Sequence, residues 1–136
     1  MITFSAISRI GNRENNEDSF VCAPNQVNSF FAVADGLGGH GHGEVASAVV
    51  IETAKRTMAD AGAVELTALM NSAIMKAQEA LLQEQKNRGT FAEMKTTLVA
   101  LVCNGGHLLF VHACTTSLSC VIVLTCTSIL FGMVVG

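Results

Sequence analysis

One short segment of the chain combines a carboxylate with glycines in a way that could hold a ligand. Asp35 follows the apolar run Phe31–Ala34 and precedes the loop Gly36–Gly43, in which five of eight residues are glycine. A carboxylate at the end of a strand is held in place by that strand, and glycines let backbone amides and carbonyls approach a ligand closely. The segment predicts a site for a metal ion or a phosphate.

A second polar segment lies earlier in the chain. Arg13 is followed by acidic and amide side chains, including the pair Glu17-Asp18. Carboxylate oxygens select hard cations such as Mg²⁺ or Mn²⁺, and the planar guanidinium group matches a phosphate. Both segments at one sheet edge would form a cation site next to a phosphate, whereas a solvated surface loop is the alternative that composition leaves open. The glycine loop lacks the Gly-Lys-Ser/Thr of a P-loop.

The elements that position these segments can be predicted from periodicity and composition. Five runs have β-type composition or a compact apolar pattern typical of strands: Ile2–Ser8, Ser19–Cys22, Ser29–Ala34, Lys95–Cys103 and Leu108–Ala113. The last two are joined by Asn104-Gly105-Gly106, which is typical of a hairpin.

Two helices are predicted between these strands. The first begins at about Gly43, with Val45, Ala48, Val49, Ala54 and Met58 near helical spacing, and Gly62 is a plausible stop. The second runs from about Val64 to Asn87, and one face carries Leu66, Leu69, Ala73, Ala77 and Leu81. Strands, two helices and further strands predict an α+β fold, with the helices packed on a mostly antiparallel sheet.

Composition limits the class of protein. A chain of 136 residues is long enough for one domain with its own core. A net charge of −3 without a basic run indicates no binding to nucleic acid. The N-terminus lacks the pattern of a signal peptide, so a cytoplasmic location is expected. The five cysteines show no C-x-x-C spacing and no disulfide framework, which favours free buried thiols.

The two polar segments together are more specific than either alone. Arg13-Glu-Asn-Asn-Glu-Asp-Ser19 followed by Phe31-Ala-Val-Ala-Asp-Gly-Leu-Gly-Gly-His40 resembles the first two motifs of the PP2C (PPM) family of metal-dependent serine/threonine phosphatases, in its bacterial branch. Met94–Val99 resembles the family's Gly-Thr-Thr strand, with Lys95 where glycine is usual, and Leu108–Ala113 resembles the strand before the next motif. The resemblance covers roughly residues 1–113 and implies part of an αββα sandwich, incomplete at the C-terminal side.

This resemblance implies a role for each matching residue. Asp35 would bridge two Mn²⁺ or Mg²⁺ ions, and the carbonyl of Gly36 would join one shell. Glu17 and Asp18 would face the second ion directly or through water, and Arg13 would bind the substrate phosphate. A water held between the metals would then attack phosphorus. The implied partners are proteins phosphorylated on serine or threonine by a cognate kinase.

The histidines receive no catalytic role. His40 and His42 form a His-x-His pair, but two ligands do not make a zinc site. The family's eukaryotic branch has a histidine directly after Asp-Gly, where this chain has Leu37. A structural role in the loop is therefore predicted for both. His107 and His112 flank the second strand of the hairpin, and they are also expected to be structural.

The resemblance stops after residue 113. The family continues with Gly-Asp-Ser-Arg and later supplies two more metal-binding aspartates, whereas this chain has Cys114-Thr-Thr-Ser117 and no acidic residue beyond Glu93. We therefore expect residues 1–113 to be the N-terminal part of a phosphatase domain and residues 114–136 to be an uncharged apolar tail that does not match the family. The metal shell is expected to be incomplete.

The tail admits three interpretations. A reading-frame shift or truncation is favoured because the change falls at a motif boundary. Leu118–Val135 is also an uncharged run of 18 residues, the lower limit for a membrane anchor. Lastly, Val121–Thr125 and Ile129–Phe131 have β-type composition and could be strands.

The predicted function follows from these observations. The chain is expected to be a Mn²⁺- or Mg²⁺-dependent serine/threonine phosphatase, truncated and weakly active or inactive. The alternative is a non-catalytic pseudophosphatase module that binds a phosphoprotein or another partner. Membrane attachment through the tail is a further option, which is not favoured.

Overall fold

The part of the chain that the structure describes forms one sheet and two helices. A computed structural model describes residues 2–38, 42–62, 64–90, 93–114 and 117–125. These residues form β1 (Asp18–Ala23), β2 (Ser29–Leu37), α1 (His42–Ala59), α2 (Leu66–Arg88), β3 (Lys95–Asn104), β4 (His107–Cys114) and β5 (Ser117–Thr125). Neighbouring strands pair antiparallel in the order β1-β2-β3-β4-β5. The predicted α+β architecture is confirmed.

Both helices lie on the same side of the sheet. Successive strand side chains point to opposite faces, so in β2 Phe30, Ala32 and Ala34 are buried under α1, while Phe31 and Val33 on the other face are half-buried. The same alternation runs through β3, whose buried residues are Thr96, Leu98, Ala100 and Val102. The open face of the sheet therefore carries Asp35.

The predicted face of α2 packs against the core, with Leu66 only partly buried. Leu69, Ala73, Ala77 and Leu81 are all buried. The helix begins after Glu65, whose carboxylate accepts hydrogen bonds from the backbone amides of the first turn and thereby satisfies donors that have no partner within the helix.

The face of α1 differs from the prediction. Ala48 is exposed and Val45 and Val49 are only partly buried, whereas the buried stripe consists of Gly43, Ala46, Ser47, Val50, Ile51, Ala54 and Met58. Apolar residues occur almost all round the first half of this helix, so apolar spacing alone does not select the face. The face that packs against β1 and β2 begins with the small residues Gly43, Ala46 and Ser47.

The N-terminal segment is not a strand, so the interpretation of Ile2–Ser8 is wrong. A run of β-type composition becomes a strand only where another strand supplies backbone partners, and residues 2–8 pair with none of the five described strands. Their large apolar side chains remain about half exposed, with values of 47% for Phe4 and 57% for Ile7. Phe4 packs on Phe31 of the open face, with the ring centroids 5.4 Å apart.

The hairpin between β3 and β4 has the predicted turn. Gly105 and Gly106 have φ values of 52° and 96°, a pair of positive angles typical of a two-residue hairpin turn. β5 then pairs with β4, and it contains the predicted strand Val121–Thr125. Ile129–Phe131 lies outside the described residues. No helix among the described ranges is long and apolar enough to cross a membrane.

Candidate metal centre

Two carboxylates face each other across the first pair of strands. Asp18 of β1 is the direct partner of Asp35 of β2 in the antiparallel register, which brings the two residues side by side on one face of the sheet. Burial raises the pKa of Asp18, and the adjacent charge of Asp35 raises it further. Two carboxylates held this close bind a shared proton or a cation in preference to remaining both ionised and unpaired.

The sequence predicts Asp35 at the end of a strand, but in the structure Asp35 lies within one. β2 continues through Gly36 and Leu37, which pair with Thr96 and Lys95 of β3. The ladder extends because β3 begins at Lys95 and offers partners to both residues. Asp35 is therefore held by strands on both sides.

Two threonines of β3 fix the backbone of Asp35. The Thr96 hydroxyl donates to the Asp35 carbonyl at 3.0 Å, and the Asp35 amide donates to the Thr97 hydroxyl at 3.4 Å. Thr96 is buried, with 3% of its surface exposed. Sequence reasoning matched this Thr-Thr pair to a family strand but assigned it no role. Its signal was a threonine at a position where the alternation of β3 requires a buried side chain.

Three backbone segments meet immediately behind this pair. A Cβ atom added to Gly36 would lie 2.0 Å from the Gly43 carbonyl oxygen and 2.6 Å from the Glu17 carbonyl oxygen. Separations of this size are far inside van der Waals contact. Glycine is therefore required at position 36 because the chain before β1, the end of β2 and the start of α1 converge there.

Glu17 points towards the first turn of α1. A Cβ atom on Gly43 would lie 2.8 Å from the Glu17 Oε1 atom, so the carboxylate occupies the place a side chain would need. This position is favourable because a helix N-terminus attracts negative charge. The Glu17 charge also raises the pKa of Asp18, although it contributes less than burial and Asp35 do. Glu17 thus joins the acidic group while packing against α1.

Arg13 borders the acidic group on its solvent side. Its Nη1 atom lies 3.8 Å from Glu17 Oε2, and 70% of its side chain is exposed. The guanidinium charge opposes the other influences by lowering the pKa of Asp18. Arg13 also lines a cleft of about 220 Å³ formed by residues 9–13 and 15–18. The lining of the cleft therefore includes both the exposed guanidinium group of Arg13 and Asp18.

His42 does not join this group. His42 is the first residue of α1, and its Nδ1 atom lies 3.2 Å from Glu93 Oε2, although the geometry does not make a hydrogen bond. This contact links the helix to the turn before β3, as a structural residue would. His40 lies outside the described residues. His107 and His112 are the first and sixth residues of β4.

The donors that the structure brings together suit a hard divalent cation. Asp18 and Asp35 present oxygen ligands, and their proximity is relieved by positive charge. Within the described ranges, however, no group of three or more His, Cys, Asp or Glu side chains could by itself hold a metal ion. The arrangement supplies part of a coordination shell.

Comparison with known proteins agrees with this fold. The family model for protein phosphatase 2C matches residues 7–117, and the chain belongs to this family. The serine/threonine protein phosphatase PstP of Mycobacterium tuberculosis is 34% identical over 100 residues, which are 74% of this chain and 19% of that protein.

Solved structures give the same result. The catalytic domain of PstP in complex with two manganese ions has a TM-score of 0.64 at 34% identity, and the match covers 74% of this chain and 42% of that one. PppA of Pseudomonas aeruginosa has a TM-score of 0.59 at 30% identity, over 74% of this chain and 42% of its own. The chain thus spans less than half of these solved structures.

Proposed function

We propose that this chain supplies the N-terminal half of a two-metal phosphatase site that hydrolyses phosphoserine and phosphothreonine in proteins. The observation that carries the proposal is the juxtaposition of Asp18 and Asp35 beside the exposed guanidinium group of Arg13. Phosphorylated proteins as substrates are inferred from the family and from PstP, which is a serine/threonine protein phosphatase.

Each residue has a distinct task in this proposal. Asp35 and Asp18 would hold Mn²⁺ or Mg²⁺ through their carboxylates, with the Gly36 carbonyl as a further ligand. Thr96 and Thr97 keep the Asp35 backbone in place, so that its carboxylate does not turn away from Asp18. When bound, the cations supply activation of a water nucleophile and neutralisation of the charge that develops on the phosphoryl group.

Arg13 would bind the phosphate of the substrate. Its guanidinium group is the exposed charge beside the carboxylates, and its planar fork suits two phosphate oxygens. The weak, exposed pair with Glu17, at 3.8 Å, leaves it available for a ligand.

We further propose that this 136-residue chain alone has little or no turnover. The acidic group among the described residues offers two facing carboxylates, and metal sites with incomplete shells bind weakly. The match to 42% of the PstP catalytic domain supports the same inference.

The test measures Mn²⁺ binding and hydrolysis separately. We expect the chain to bind Mn²⁺ weakly by electron paramagnetic resonance, to lose that binding in Asp35→Asn, and to keep it in Asp60→Asn, which changes an exposed carboxylate after α1. Absence of any Asp35-dependent binding contradicts the metal site. Efficient Mn²⁺-dependent hydrolysis of p-nitrophenyl phosphate contradicts the inference of low turnover. Phosphopeptide binding that survives EDTA and requires Arg13 favours the non-catalytic module instead.

A further inference from the structure

A fully buried hydroxyl lies behind the acidic pair. Ser47 of α1 has none of its surface exposed, and its Oγ atom donates to the Glu17 carbonyl at 2.6 Å. The same oxygen is 3.1 Å from the carbonyl of Glu44 in its own helix and 2.9 Å from the Oγ atom of Ser19. A serine at this depth needs partners because an unpaired hydroxyl in a core is destabilising.

The number of protons that each hydroxyl can donate determines the direction of these hydrogen bonds. A serine hydroxyl has one proton to donate, and the shortest contact of Ser47 is with the Glu17 carbonyl. Ser19 is therefore the donor in its contact with Ser47. The result is a series of hydrogen bonds. Ser19 donates to Ser47, Ser47 donates to the Glu17 carbonyl, and that carbonyl also accepts a hydrogen bond from the Gly36 amide at 3.1 Å.

This series of hydrogen bonds holds the residues on both sides of Asp18, Glu17 through its carbonyl and Ser19 through its hydroxyl. Both residues are bound to Ser47 from the helix side of the sheet. Alternation in a strand then directs the Asp18 carboxylate to the opposite face, where Asp35 lies. Through Gly36, the same carbonyl ties β1 to the residue that follows Asp35.

We propose that Ser47 is a positioning residue that sets the separation of the Asp18 and Asp35 carboxylates by clamping the Glu17 carbonyl between α1 and β2. The part of this inference that concerns metal rests on the proposed function, whereas the clamp itself does not. Ser47 touches neither a substrate nor a carboxylate side chain, so its influence on the site passes through the backbone of Glu17.

A matched control exists at the other end of the sheet. Ser29 is equally buried, with 1% of its surface exposed, and its Oγ atom donates to the Asn25 carbonyl at 2.9 Å. Ser29→Ala removes the same kind of bond as Ser47→Ala, but it does so where β2 begins, away from Asp35. A general loss of stability affects both variants, and a loss of positioning affects only Ser47→Ala.

The experiment first measures the hydrogen-exchange rate of the Gly36 amide in the whole chain without metal. It then measures the affinity of the chain for Mn²⁺. In Ser47→Ala we expect the Gly36 amide to exchange about three- to tenfold faster, the equivalent of one weakened hydrogen bond, and Mn²⁺ affinity to fall about tenfold. Ser29→Ala should leave both unchanged. Ser47→Cys keeps the size and a weak donor, and it should lie between wild type and Ser47→Ala.

Each outcome decides one of the two proposals. If the Gly36 amide exchanges equally fast in Ser47→Ala and Ser29→Ala, Ser47 does not clamp Glu17. If exchange is faster in Ser47→Ala but Mn²⁺ affinity is unchanged, Ser47 does not position the carboxylates. If Ser47→Ala does not fold, Ser47→Cys gives the same comparison. If wild type binds no Mn²⁺, the proposed metal site fails, and the exchange of Gly36 still decides whether Ser47 clamps Glu17.

Discussion

Asp18 and Asp35 are direct partners in the antiparallel ladder of β1 and β2, and burial, followed by the nearby charge of Asp35, raises the pKa of Asp18. Two acidic residues at such a position do not stabilise a sheet, because like charges directly opposite each other repel. The arrangement costs stability in the absence of a cation. The lost stability can be measured in a variant that lacks one of the two charges.

Asp18→Asn is expected to stabilise the metal-free chain at neutral pH. The folded state raises the pKa of Asp18 above its usual value of 3.8, first through burial and then through Asp35. The stability contributed by its protonation is therefore present below that value and is lost as the pH rises through the raised pKa. Removing the ionisable group should gain less than about 1 kcal/mol at about pH 7, because water screens partly exposed carboxylates. Urea unfolding measures the gain.

The pH dependence separates this effect from a general one. The advantage of Asp18→Asn should shrink when the same measurement is made at about pH 3, where the wild-type carboxyl is protonated. Asp60→Asn is the control. A lower stability of Asp18→Asn at neutral pH would contradict the argument.

Gly36→Ala should be strongly destabilising. The new methyl group would lie 2.0 Å from the Gly43 carbonyl oxygen, and a backbone atom cannot move aside as the end of a flexible side chain can. Overpacking of this kind costs at least about 1–3 kcal/mol. Gly62→Ala is the matched control, because no atom lies within 4 Å of the added carbon. Equal unfolding midpoints of the two variants in urea would refute the close approach.

Thr96→Val should lower the free energy of unfolding by about 1–3 kcal/mol, since it leaves the Asp35 carbonyl without the buried hydroxyl that donates to it at 3.0 Å. Thr57→Val removes a hydroxyl that donates at 2.9 Å to the Thr53 carbonyl within α1, and that carbonyl remains accessible to the helix amides. Its effect on chemical denaturation should be clearly smaller. A larger loss in Thr57→Val would count against the role of Thr96.

Leu81→Ala and Leu82→Ala test the packing of α2 on adjacent residues. Leu81 is fully buried and Leu82 is 48% exposed. Truncating a buried leucine costs about 2–5 kcal/mol through lost contacts and a cavity, whereas the exposed neighbour should change stability by no more than about 0.5 kcal/mol. Thermal unfolding of both variants checks the difference, and similar melting temperatures would show that α2 is not docked as described.

Sequence reasoning predicted most of the fold because the local signals were strong. The leucines of α2 recur at helical spacing, and the Asn104-Gly105-Gly106 turn has the chemistry of a hairpin, so both elements formed where predicted. The face of α1 was not predictable, because small apolar residues surround it and the choice depends on its distance from the sheet. Ile2–Ser8 failed for a related reason, since a strand needs a partner that local composition does not reveal.

The candidate site followed the same rule. Asp18 and Asp35 were singled out from their residue types, but their register as direct partners depends on how β1 and β2 pair. Ser47 was missed because a serine within an apolar helix indicates no particular role. Its hydrogen bond is to Glu17, which lies 30 positions earlier in the sequence. Contacts of that range become visible only when the helix is placed on the sheet.

The order in which contacts can form follows from the short connection between β1 and β2. Residues 24–28 join the two strands, whereas the pairing of β2 with β3 must wait until both helices, residues 42–88, have been accommodated between them. Closing a short loop is entropically cheaper than closing a long one, and hairpins form in about 1–10 μs. Asp18 and Asp35 therefore belong to the low-contact-order part of the molecule. We therefore expect their mutual repulsion to slow the folding of this hairpin as well as to lower the stability of the folded protein.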